Sequence, residues 1–366
     1  MEFHIWQFQE DKVRILFKDH NKFIEDAIKF FGSKKALATF LQIPSYLIDA
    51  WKRNQSHLLL KHIKKIVKKL RLDWEKIEKS VCSYKGLSTG KPILNPKLPI
   101  KETPELFALI THIICDGSVN RNGIPYYVNT EKSLISNFKK ILKNTFGETY
   151  IKIEHKPGKN KKAYSLRFPK VIIELLEDFY NFSLYKAKRF PKGIFNLPDK
   201  FAIAIIKAFV DDEGNVNSSK RIGVYSTEKN LLKDLIRLLK EKLRYENTSE
   251  IRKKGEGYYY FYIKSEDIER YGKEIGFNHL KKNRKLKELI QLKKEGKSIG
   301  KRGKNKETKE KLLKLLNKKA LTTYEIMKKL KINKSNINTQ IRKLRNQNLI
   351  VQDKKIGQTI FWTRSK

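Results

Sequence analysis

The chain is 366 residues long and carries 81 Lys and Arg against 39 Asp and Glu, a formal charge of +42 spread over its whole length. That excess calls for a polyanionic partner, nucleic acid before any other, while 39% hydrophobic residues, with 20 Phe and 16 Tyr, exclude a largely disordered chain. Cys82 and Cys115 form no Cys-x-x-Cys pair, which excludes a disulfide framework or zinc site; with no apolar run near the roughly 20 residues that cross a bilayer and no signal-peptide order after Met1, no membrane partner and a cytoplasmic location are expected.

Residues 1–83 are expected to form a helical domain, because Asn21–Phe31, Lys34–Leu41, Ser45–Arg53 and Leu58–Leu70 carry helical apolar spacing. Gln42-Ile43-Pro44 makes a short turn before a candidate Ser45 N-cap, giving Ser33–Asn54 the order of a helix-turn-helix. It resembles the DNA-binding domain of phage repressors, with Ser45, Tyr46, Lys52 and Arg53 as candidate contacts. A Gly- and Pro-rich stretch, 84–99, reads as a linker.

The core, 100–294, contains an internal repeat with halves at about 104–195 and 196–294. Leu109-Ile110-Thr111-His112-Ile113-Ile114-Cys115-Asp116-Gly117 returns 97 residues later as Ile206-Lys207-Ala208-Phe209-Val210-Asp211-Asp212-Glu213-Gly214. The same offset relates Val128-Asn129-Thr130-Glu131-Lys132 to Tyr225-Ser226-Thr227-Glu228-Lys229, each before an amphipathic helix, Ser133–Asn144 or Asn230–Leu243. Turn signals at Asn122-Gly123, 157–160, 218–220 and 254–257 complete an αββαββα order in each half. An Asp-Gly or Glu-Gly pair after a helix is often a plain helix stop, but two in register imply a duplicated role. A small residue at Thr111 and Ala208 lets twin helices approach closely, while an Asp at 212 on the same face needs a polar partner or exposure. His112, alone on an apolar helix, is read as a core residue and left out of the site.

These motifs, with Ile275-Gly276-Phe277 to Arg284-Lys285-Leu286 as a closing segment, resemble the LAGLIDADG homing endonucleases of the two-motif, monomeric kind, over about Pro104–Leu292. Thr111, His112, Ile114, Lys207 and Asp212 depart from the name-giving pattern. The resemblance implies a pseudo-twofold α+β core, a site-specific double-stranded DNA endonuclease, and Asp116 and Glu213 as catalytic ligands of Mg²⁺ or Mn²⁺. It also implies a basic residue beside each carboxylate, for which Lys264 is the candidate in one half and Lys170 or Arg167 in the other. Four hairpins would line a DNA saddle, with Arg121, Lys152, Lys156, Lys220, Arg221 and Arg252 as candidate contacts.

A second linker is read at 295–306, followed by a winged helix-turn-helix at 307–366 with helices Glu307–Leu316, Thr323–Leu330 and Lys334–Asn346, the last N-capped by Asn333. Strands Leu349–Gln352 and Thr359–Thr363 flank a basic turn, 353–357. Ser335, Asn336, Asn338, Thr339, Arg342 and Lys343 would face the major groove, with Lys354 and Lys355 on phosphate. Two alternatives share this framework: a non-catalytic transcriptional regulator on a domesticated core, and a maturase-type splicing cofactor that binds intron RNA. The termini lack the Cys or Ser start and His-Asn end of a splicing element, so a free-standing product is expected.

Overall fold

The computed structural model describes residues 1–366 apart from 88–89, 157–162, 218–220, 256, 296–300, 331, 333, 357–358 and 366. The chain divides into two compact units, Met1–Asn217 with Arg221–Lys287, and Glu288–Lys366. The first opens with β1 (Glu2–Phe3), β2 (Val13–Phe17), α1 (His20–Phe31), α2 (Lys34–Leu41), α3 (Ser45–Lys52), β3 (Leu58–Leu59), α4 (Leu60–Leu70), α5 (Trp74–Ser80), β4 (Val81–Gly86), β5 (Ile93–Leu94) and β6 (Ile100–Lys101). The four expected helices are present, α2 starting at Ser33, whose Oγ accepts from Ala36 N at 3.1 Å. Ser45 is not the cap of α3: Pro44 holds that position with φ −62°, and its ring presets the chain entry without a side-chain bond.

The core follows the expected duplicated order. Its first half contains α6 (Pro104–Asp116), β7 (Gly117–Val119), β8 (Pro125–Asn129), α7 (Lys132–Phe146), β9 (Glu148–Thr149), β10 (Lys152–Lys156), β11 (Ala163–Arg167) and α8 (Lys170–Tyr180). The second contains α9 (Asp199–Glu213), β12 (Gly214–Asn217), β13 (Arg221–Ser226), α10 (Lys229–Arg237), β14 (Arg252–Lys254), β15 (Tyr258–Ile263), α11 (Ile268–Glu274) and α12 (Leu280–Lys294). Two four-stranded antiparallel sheets result, ordered β7-β8-β11-β10 and β12-β13-β15-β14, the same topology twice. The amphipathic helix expected at Asn230–Leu243 changes character partway, α10 passing into a π-helical turn at Leu238–Lys242.

Two expectations for the N-terminal region need correction. It is not purely helical: β2 pairs with β3 and β4, β4 with β5, and β5 with β9, a five-stranded sheet that runs into the core. Nor is 84–99 a simple linker, since it holds the end of β4 and all of β5, with Tyr84 and Ile93 fully buried. The Gly and Pro residues punctuate short strands whose partners lie far away in sequence, a pairing that local pattern does not reveal.

Three histidines here, His20, His57 and His62, are held down to about 4, chiefly by burial, with neighbouring cations adding to the effect at His57 and His62. Above pH 6.5 these imidazoles are neutral folded or unfolded and favour neither state. Between 6.5 and 4 the unfolded chain takes up protons that the folded one refuses, so stability falls with pH. Urea unfolding followed by tryptophan fluorescence should show a midpoint that drops across this window. In His62→Leu the drop should be shallower, with no loss at pH 7, because His62 Nδ1 is buried without a partner. An unchanged pH slope in that variant would refute the assignment.

The second unit contains α13 (Lys301–Lys318), β16 (Leu321–Thr322), α14 (Thr323–Leu330), α15 (Lys334–Asn346), β17 (Ile350–Ile356) and β18 (Thr359–Arg364), with sheet order β16-β18-β17. Leu312, Leu321, Ile326, Ile337, Leu344 and Trp362 share one buried cluster. Glu325 accepts from Thr322 N at 2.8 Å while its own N–H donates to Thr322 Oγ1 at 3.2 Å, a capping box that fixes the start of α14. Residues 301–306, expected as linker, belong to α13, and 353–356, expected as a turn, lie in β17. Asn333 and Gly357 fall outside the described residues.

Candidate active site

The motif helices α6 and α9 pack directly on each other. Thr103 Oγ1 caps α6 by accepting from Leu106 N at 3.2 Å, and Pro104 occupies the first turn. Thr111 and Ala208, matching positions of the repeat, are both buried, as the expected close approach requires. Each helix ends on its carboxylate and then a glycine. The glycines do not adopt the left-handed cap of an ordinary helix stop, with φ −83° at Gly117 and −90° at Gly214. What requires them is proximity: a Cβ would stand 2.3 Å from Ile113 O at Gly117 and 2.4 Å from Val210 O at Gly214.

Asp116 ends α6, and the Asn129 amide of β8 donates to its Oδ2 at 3.0 Å. The same amide donates to Asp212 Oδ1 at 3.2 Å, so one side chain bridges the two motifs. Asp212 finds the polar partners its position demands: Tyr127 Oη donates at 2.7 Å, and His112 Nδ1 lies 2.7 Å from its other oxygen. The His112 and Asp212 side chains are both fully buried. Burial disfavours the imidazolium, but Asp212, Asp211 and Asp116 outweigh it and the net shift of His112 is upward. His112 is therefore a core residue, as expected, yet one tied to the twin helix, and its Nε2 has no partner.

Burial, with repulsion from Asp212 and Glu213, pushes Asp116 up to about 8; His112 and the Asn129 hydrogen bond oppose the rise. Burial and Asp212 raise Glu213 to about 7, opposed by Lys282. Asp211, raised by burial to about 6, is buried and accepts backbone N–H groups from Asn278 at 3.0 Å and His279 at 2.9 Å. Four carboxylates thus crowd the paired helix ends, a concentration of hard oxygen donors that needs positive charge.

The cation acting on Glu213 is Lys282, which sequence reasoning passed over. Its only local sign was membership of the closing segment, one lysine among 81 Lys and Arg. Of the basic residues expected beside the carboxylates, Lys264 is exposed after β15, Lys170 pairs with Glu174 at 3.2 Å, and Arg167 pairs with Glu154 at 2.8 Å. Lys170 and Arg167 line a different cavity, with Lys91, Asn122 and Tyr150. Glu213 instead lines an opening of about 550 Å³ whose walls include Lys186 and Lys188 from the connection between the halves, together with Cys115, Glu228 and Tyr258.

Among the expected DNA contacts, Ser45, Tyr46, Arg53, Arg121, Lys152, Arg221 and Arg252 are exposed, while Lys52 is half-buried and pairs with Glu25 at 2.9 Å. Lys152 pairs with Glu154 at 2.8 Å, and Arg221 lies 4.7 Å over the Tyr262 ring. On α15, Ile337, Ile341 and Leu344 turn inward whereas Asn336, Asn338, Thr339, Arg342 and Lys343 are exposed; Lys354 is exposed on β17. Lys220 and the side chains of Lys156, Ser335 and Lys355 lie outside the described residues.

Residues 200–276 match the family model of the LAGLIDADG-like domain, and residues 306–351 that of the bacterial regulatory proteins of the arsR family, a helix-turn-helix. An A-type ATP synthase polypeptide of Methanopyrus kandleri is 27% identical over 171 residues, 46% of this chain but only 16% of that protein's length. Among solved structures, I-DmoI in complex with DNA and Mn is 16% identical, covering 47% of this chain and 96% of that one at a TM-score of 0.35. Full-length WhiA from Thermatoga maritima is 15% identical, covering 68% and 93% at a TM-score of 0.39.

Proposed function

We propose that this chain, a LAGLIDADG protein with a flanking helix-turn-helix, is a divalent-metal-dependent endonuclease that hydrolyses both strands of a specific DNA duplex. The observation that carries the reading is the paired ends of α6 and α9, where Asp116 and Glu213 close two equivalent helices amid uncompensated negative charge. A protein that only binds DNA gains nothing by burying carboxylates at the centre of a basic molecule.

The donor set fits a hard cation. Among the described residues no three His, Cys, Asp or Glu side chains form a complete cage, which suits an ion held by one or two carboxylates plus substrate phosphate and water. Asp116 and Glu213 would hold magnesium or manganese, which when bound supplies Lewis-acid activation of the phosphodiester and of water. The chain's own residues set the geometry: Asn129 orients Asp116, and the glycines after each carboxylate let the strands leave without shielding them. Lys186 and Lys188, on the wall of the Glu213 cavity, supply positive charge for a phosphate. The basic sheets and the exposed face of α15 supply electrostatic attraction and added length to the recognised site.

The test is to incubate the full chain with Mg²⁺ and a randomised duplex library and to sequence the ends produced. Double-strand breaks at a shared sequence are expected. Specific binding without breaks would instead establish the regulator, the reading favoured by the arsR-type segment and by the exposed polar face of α15.

A further inference from the structure

The C-terminal end of α9 is held by a reciprocal clamp. An α-helix leaves its last carbonyls without partners, and here Lys282 Nζ donates to the carbonyl oxygens of Val210 at 3.1 Å, Asp212 at 3.3 Å and Asp211 at 2.5 Å. An ammonium has three donors, and all three are spent on one helical turn. Its charge also opposes the negative end of the helix dipole. In return, the buried Asp211 carboxylate accepts the N–H groups of Asn278 and His279, just before α12 begins at Leu280. Each helix thus satisfies the other's open backbone groups, and the turn so fixed is the one that ends in Glu213.

The first half is built differently. At the repeat offset Asp211 corresponds to Ile114, which has no carboxylate to hold a following helix. Among the described residues no lysine ammonium donates to the last carbonyls of α6, and Asp116 is oriented through its own side chain by Asn129.

We propose that Lys282 is a positioning residue for the Glu213 half of the site alone, acting through the backbone of α9. The inference rests on the endonuclease reading. Because only one half is clamped, loosening the clamp should uncouple the two strand cleavages.

The experiment compares wild type, Lys282→Met, Lys282→Arg, Asp211→Asn and Glu213→Gln as full-length proteins on a supercoiled plasmid carrying one cleaved site. In Lys282→Met one strand should be cut at the wild-type rate and the other at least about tenfold more slowly, the size usual for loss of a group that orients a ligand. Nicked circles should accumulate, with the same strand left intact as in Glu213→Gln. Lys282→Arg should restore part of the linear product, and Asp211→Asn should show the same strand bias if Lys282→Met does not fold. Equal slowing of both strands would mean that Lys282 serves only general stability. Hydrogen exchange gives a reading independent of cleavage: amides at 211–217 should exchange faster in Lys282→Met while those at 114–119 do not. If wild type cuts no DNA the endonuclease reading fails, and the exchange pattern still decides the clamp. Unchanged exchange overturns it.

Discussion

Asp116→Asn and Glu213→Gln should each lower double-strand cleavage on the order of 10³-fold, the scale of losing one electrostatic stabiliser of a transition state, with duplex binding unchanged or tighter. Both substitutions keep shape and remove charge. Binding is expected to survive because a carboxylate beside a phosphate opposes association, and the basic surfaces that provide it lie elsewhere on the sheets and on α15. Single-turnover cleavage and fluorescence anisotropy on the same duplex separate the two effects. Cleavage at the wild-type rate in either variant would remove that residue from the chemistry.

The same variants carry a stability signature. Asp116 titrates at about 8 against an ordinary value near 3.8, so above pH 3.8 ionisation favours the unfolded chain, and the cost grows until pH passes 8. Asparagine lacks that cost. Asp116→Asn should therefore melt above wild type at neutral pH without added metal, the pattern of an active site that sacrifices stability for function.

The second large effect lies between the motif helices. His112→Phe should cost about 3–5 kcal/mol, because it leaves the buried Asp212 carboxylate without its cationic partner. Tyr127 and Asn129 would remain as its only hydrogen-bond donors. The repeat supplies the compensating change: the twin of His112 is Phe209 and the twin of Asp212 is Cys115. His112→Phe with Asp212→Cys makes the two helix faces alike, and the double variant should recover much of the loss. Urea titrations at pH 7 on the four members of this cycle measure the coupling; simple additivity would show that the pair is not a unit. Because the His112 pKa is raised, its stabilising contribution is complete below pH 6.5 and disappears as pH rises through the elevated value.

The α+β class, the duplication, and the helices that frame the site were all legible in the chain, since a helix repeats every 3.6 residues and a repeat keeps its register. The positions of Asp116 and Glu213 at the ends of α6 and α9 followed from that register, and the demand of Asp212 for a polar partner followed from its place on an apolar face. What sequence left open was the identity of partners distant along the chain. His112 meets Asp212 across 100 residues, Lys282 meets the end of α9 across about 70, and β2 meets β4 across a helical segment. A buried lysine has the same local pattern as a solvated one; only the packing of α12 onto α9 distinguishes Lys282 from the other 80 Lys and Arg. Secondary structure and repeat register were written locally in this protein, whereas the charge balance of the carboxylates was decided by tertiary contact, because desolvation and Coulomb interaction depend on distance in space rather than along the chain.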